Sequence, residues 1–308
     1  MLKRILVSWL CLCALPAAAA VKVLATVPEW EALAREIGGE RVAATSATHA
    51  RQDPHRIEAR PSLLARARVA DLLFATGAEL EIGWLPVLLR ESGNRRIQPG
   101  QPGHLEAAAY VRLRDVPGTV DRAMGDVHAA GDPHFHLDPR NILPVAEALA
   151  GRLAQIDPAG AQRYRANLDR FRARWLDALA RWQAEGASLK GMPFLQAHRS
   201  FGYLAHWLGL ENRGELEPKP GIEPGGAHLG RIVAAQQSAP AAVILRAAYQ
   251  DESAGRWVSG RAGIPLLMLP YTVGGTPEAG DLFGLFDDTL ARLKSVAAGA
   301  PTAAKKQP

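Results

Sequence analysis

Short apolar runs alternate along this chain with segments whose apolar residues recur every three to four positions. Residues 21–27 (VKVLATV) predict a buried strand, 29–37 a helix halted by Gly38 and Gly39, and 42–48 a second strand. Residues 61–69 predict a helix that leads into a strand-to-loop unit at 71–77. A helix over 139–153 precedes the longest periodic segment, 158–187, where Tyr164, Leu168, Phe171, Trp175, Leu179 and Trp182 share one face and charged residues take the others. The rhythm then resumes with a strand at 193–196, a helix at 201–208, a strand at 242–245, a helix from Glu252, a strand at 265–269 and a last helix over 282–296. Strands that alternate with helices imply parallel pairing. The pattern predicts an α/β protein of two lobes (21–157 and 188–296), each with a mostly parallel sheet flanked by helices, joined by one long rigid linking helix (158–187). The aromatic stripe of that helix has the spacing of a core face.

The first twenty residues break this pattern. Lys3 and Arg4 precede an apolar run from Ile5 to Leu15, which ends at Pro16 and four alanines. That order predicts a secretory signal peptide (1–20) cleaved after Ala20, and hence an exported, periplasmic protein. Both cysteines, Cys11 and Cys13, fall inside the segment to be removed, so the secreted protein is expected to have no disulfide and no thiolate ligand. Leu10 and Leu12 stand where lipid attachment needs small residues, so no lipoprotein is expected. The formal charge of +5 is spread along helices rather than gathered with aromatics, which speaks against nucleic-acid binding. The Ala-, Pro- and Lys-rich tail (297–308) is too poor in apolar residues to fold.

The chemistry lies with the histidines. His55 occurs in Asp53-Pro54-His55, His134 in Asp132-Pro133-His134, and His198 in His198-Arg199-Ser200-Phe201-Gly202-Tyr203. Ligands so far apart can meet only if the whole fold brings them together, unlike those of a zinc finger. The proline before His55 and before His134 restricts the local backbone and helps to aim each ring. With Ala70-Asp71-Leu72, Gly77-Ala78-Glu79-Leu80-Glu81, Leu137-Asp138-Pro139 and Lys219-Pro220-Gly221-Ile222-Glu223-Pro224, these motifs span nearly the whole chain beyond residue 20. In that order they resemble the zinc- and manganese-specific solute-binding proteins of ABC importers. The resemblance implies a metal held between two lobes by His55, His134 and His198. It also implies delivery to an inner-membrane ABC permease with its cytoplasmic ATPase, by a protein expected to be a monomer and not an enzyme.

A third histidine, where a carboxylate would suit manganese, favours Zn²⁺, with Mn²⁺ or Cu²⁺ as lesser alternatives even though copper binds imidazole intrinsically more tightly. Many relatives place an aspartate after the last strand; this chain has Pro270-Tyr271-Thr272-Val273-Gly274-Gly275 there, and a phenol titrating near pH 10 is a poor ligand. The fourth position is therefore left to Asp281, Glu79 or water, and Gly274-Gly275 marks this loop as the one expected to move. His136 forms a His-x-His pair with His134, but in a loop alternate residues need not share a face. His128 and His49 read as residues of solvated loops, with transient metal capture as the alternative. His104, His206 and His228 read as structural, and Glu215, Glu217 and Lys219 as a solvated loop. An exported zinc hydrolase is the competing function, since catalytic zinc also commonly has three protein ligands, but no His-Glu-x-x-His helix supplies a base.

Overall fold

The computed structural model describes residues 19–118 and 128–299. The expected signal peptide and tail lie outside the described residues except at 19–20 and 297–299. Four parallel strands, β1 (Val21–Ala25), β2 (Val42–Ser46), β3 (Leu72–Ala75) and β4 (His104–Glu106), form one sheet in the order β2-β1-β3-β4. Strands β5 (Pro193–Gln196), β6 (Glu211–Glu215), β7 (Val243–Ala247) and β8 (Leu266–Leu269) repeat that order as β6-β5-β7-β8. Two lobes of like topology result, and in each the loops at the carboxyl ends of the strands are where an open parallel sheet places its ligands.

Helices α1 (Pro28–Gly38), α2 (Pro61–Val69), α3 (Leu85–Ser92) and α4 (Ile142–Ile156) belong to the first lobe. After α5 (Ala161–Gly186), helices α6 (Gly202–Leu208), α7 (Gly226–Ala235), α8 (Ser253–Ala262) and α9 (Leu282–Ala297) complete the second. The 26-residue α5 is extended by short 3₁₀ turns at Pro158–Gly160 and Ala187–Leu189. It packs on α1 and α4 toward one lobe and on α9 toward the other. The predicted stripe is the buried face: Tyr164, Phe171, Trp175 and Trp182 are fully enclosed. Trp175 stacks on Phe171 at 5.2 Å and meets Trp182, Phe283 and Phe286 edge-on at 5.0 to 5.7 Å. One apolar cluster runs from Val21 and Trp30 through these aromatics to Leu293, so both lobes share a core. Bending the lobes far apart would break aromatic packing, which favours modest movement over wide opening.

Four elements escape the hydrophobic pattern. Strand β6 (ENRGE) is an exposed edge with no alternation, and β4 has only three residues. Helix α3 starts at Leu85-Pro86 directly after a turn, and in α7 Leu229 is the only fully buried residue. Among the described residues no helix is long and apolar enough to cross a membrane.

Candidate metal centre

His55 lies in the loop after β2, His134 in the segment between β4 and α4, and His198 just beyond β5. The fold brings all three together. Their ring centroids form a nearly equilateral triangle of 5.7, 5.8 and 6.0 Å, and one nitrogen from each lies within 4.8 Å of the others. Three nitrogens on a tetrahedral zinc would stand about 3.4 Å apart, given Zn–N bonds of about 2.1 Å, so small ring rotations would close the triad on an ion.

Each ring is held by a carboxylate on its far side. Asp53 Oδ1 meets His55 Nδ1 at 2.8 Å, Asp132 Oδ1 meets His134 Nδ1 at 2.6 Å, and Glu217 Oε2 meets His198 Nδ1 at 2.7 Å. An ionised carboxylate can only accept, so Nδ1 donates in each ring, and in a neutral imidazole this tautomer leaves the lone pair on Nε2. The Nε2 atoms of His55 and His134 are buried and, among the described residues, without a hydrogen-bond partner. A buried acceptor left unsatisfied is costly unless something binds there. The pattern is that of carboxylate-supported imidazole metal ligands, whose tautomer and aim are set from outside.

The two Asp-Pro-His motifs reach this geometry locally. The same aspartate oxygen that accepts the ring N–H also accepts the histidine backbone N–H, at 3.0 Å for His55 and 2.9 Å for His134. This is the Asx turn an aspartate forms two residues ahead, with proline fixing the residue between. Trp84 Nε1 also donates to the Pro54 carbonyl at 2.9 Å and anchors the first loop. Burial raises the Asp53 and Asp132 carboxyls, but the facing histidines outweigh it and leave both below the usual range, hence ionised. Burial pushes His134 down to about 4, against the opposing pull of Asp132. This ring is therefore neutral, as a metal ligand must be.

Glu217 does not sit in a solvated loop as the sequence suggests. Besides His198 it accepts the Gly221 backbone N–H at 2.7 Å, which folds the 217–221 turn around it. Glu215 is likewise engaged, in β6, by Gln196 and Asn212. The candidates for a fourth ligand are also occupied. Asp281 is exposed and caps α9, accepting the Gly284 N–H at 2.7 Å. Glu79 accepts the Ala129 N–H. His136 is buried but turned away, with Nε2 at 2.9 Å from the Tyr271 carbonyl and Nδ1 at 3.5 Å from Glu29. Tyr271 is buried in the left-handed region, φ 63°, and burial drives its phenol well above the usual range, so it stays protonated. Of the two glycines after it, Gly274 takes a left-handed φ of 83° and Gly275 serves close packing: a Cβ on Gly275 would lie 1.9 Å from the Pro270 carbonyl oxygen. That close approach accounts for the glycine there.

His128 departs most from the sequence reading. Its ring stacks on His55 at 5.3 Å and meets His134 edge-on at 6.4 Å, just outside the triad. Burial, His134 and His55 push it down to about 3, so it too is neutral.

The fold and cluster define a two-lobe binding protein with an imidazole-lined site in the cleft between α/β lobes joined by a long helix. The chain belongs to the family described as zinc-uptake complex component A, periplasmic (ZnuA), whose family model matches residues 23–296. It is 33% identical over 102 residues to the high-affinity zinc uptake system protein ZnuA of Brucella abortus, covering 33% of this chain and 30% of that protein. It is 27% identical over 135 residues to the manganese-binding lipoprotein MntA of Halalkalibacterium halodurans, covering 44% of this chain and 39% of that protein. The alignments thus span well under half the length of these curated relatives. A crystal structure of ZnuA superposes with a TM-score of 0.71 at 19% identity, covering 91% of this chain and 98% of that one, which establishes the shared fold.

Proposed function

We propose that this protein captures Zn²⁺ in the periplasm through His55, His134 and His198 and delivers it to an inner-membrane ABC permease driven by a cytoplasmic ATPase. The observation that carries this reading is the triangle of imidazoles, each with Nδ1 engaged by a carboxylate and with one nitrogen from each ring within 4.8 Å of the others. The donors support zinc over manganese. Neutral nitrogen faces the ion while the carboxylates stand behind the rings, whereas manganese favours oxygen donors. The same arrangement supports capture over hydrolysis, because the three carboxylates touching the rings are engaged in orienting them and none is left beside a metal-bound water as general base.

Titration calorimetry of untagged apo-protein with Zn²⁺, Mn²⁺ and Cu²⁺ tests the reading. One zinc per chain is expected, bound far more tightly than manganese. Replacing His55, His134 or His198 with Ala should each weaken binding by orders of magnitude, since each leaves two of three converging ligands. Parental affinity in all three variants would refute the site.

A further inference from the structure

We propose that His128 is a fourth zinc ligand in this protein, turning from its stack on His55 to complete a site of four imidazoles. This rests on the three-histidine reading and extends it. The Nε2 of His128 is buried and, among the described residues, has no hydrogen-bond partner, a state it shares with His55 and His134 Nε2. Its ring already lies against two of the three other rings. A tetrahedral ion held by three protein nitrogens keeps one open position, and an additional imidazole in contact with the triad has the right donor chemistry for it.

The surroundings leave little else to fill that position. Asp281 caps its helix, His136 turns its Nε2 to the Tyr271 carbonyl and its Nδ1 toward Glu29 at 3.5 Å, and Tyr271 is held protonated. Glu79 acts instead on the chain next to His128. Gly77, Ala78 and Glu79 are successive left-handed residues, at φ 78°, 50° and 65°, a costly backbone for Ala and Glu. Glu81 holds this turn from inside by accepting the N–H groups of Thr76 and Gly77 at 2.8 and 3.1 Å. The outcome is that the Glu79 carboxylate meets the Ala129 N–H, fastening the backbone beside His128 to the rim of the site. Glu79 is thus a positioning residue for this ligand.

Zinc K-edge X-ray absorption on the untagged protein loaded with one equivalent of Zn²⁺ counts the coordinated imidazoles, and stopped-flow transfer to a chelator gives the release rate. Four imidazoles are expected in the parent protein. In His128→Ala, three imidazoles and one oxygen are expected, with release faster by at least about tenfold, the low end of what disturbing even an outer-shell partner costs. Three imidazoles in the parent, with an unchanged spectrum and rate in the variant, would overturn the role of His128 and leave the three-histidine site standing. Fewer than three in the parent would overturn both. The parent spectrum decides the question even if the variant fails to fold.

Discussion

On the N-terminal side of the cleft, Asp53 and Asp132 lie two residues before the histidines they hold, and a proline sits between each pair. On the C-terminal side, His198 depends on Glu217, nineteen residues away across β6 and its following turn. A self-contained Asx turn forms wherever its three residues are found, since it needs only local backbone and one side chain. The His198–Glu217 pair exists only after β5 and β6 have paired. The first lobe therefore offers imidazoles that are preset in short loops, and the second offers one whose aim is a product of tertiary folding.

Neutralising the supporting carboxylates sharpens this contrast and should give the largest effect short of removing a histidine. Glu217→Gln should weaken zinc binding about tenfold to a hundredfold, the usual range for outer-shell partners, and should do more harm than Asp53→Asn. Glutamine can present its N–H₂ to Nδ1 and favour the wrong tautomer, and the substitution also weakens the acceptor that folds the 217–221 turn. Asn in place of Asp53 can still accept the His55 backbone N–H, so the loop persists. Zinc affinities of the two variants, measured by chelator competition, would break the comparison if Asp53→Asn proved the more damaging.

The same contrast explains what the sequence made legible. The Asp-Pro-His motifs are visible because their chemistry is contiguous, and His198 followed by resemblance to a known motif. The alternation of strands and helices and the stripe from Tyr164 to Trp182 are visible because burial sets their period. Glu217 was not legible, since nothing in a polar segment marks one glutamate as facing a ring. His128 surfaced only as the lesser alternative of transient metal capture, because its sequence neighbours carry no periodicity that would mark it as facing the other rings. The strands β4 and β6 were missed for the reason that an exposed or three-residue strand carries no apolar pattern.

A pH experiment separates the two sides at the next level of magnitude. Between its ordinary value of 6.5 and about 4, the buried His134 binds fewer protons folded than unfolded. Its contribution to apo-protein stability is therefore complete above about pH 6.5 and lost as pH falls toward 4, with a slope of up to about 1.4 kcal/mol per pH unit. Denaturant midpoints of apo-protein at pH 7 and pH 5 should show this loss, to which His128, pushed down to about 3, also contributes, and His134→Asn should reduce it. An equal loss in parent and variant would place the titrating group elsewhere.

The smallest effect is expected at Asp281, and it tests whether the far loop of the second lobe takes part in metal binding at all. Its carboxylate accepts the Gly284 N–H at the start of α9, which packs on α5. Asp281→Ala removes an N-cap and should cost about 1 kcal/mol of stability. A residue engaged as a cap and exposed to solvent is not expected to close over the metal. Zinc release into a chelator should then run at the parental rate while the melting temperature falls slightly, whereas faster release at unchanged stability would return Asp281 to the site and make the C-terminal side a donor of two ligands rather than one.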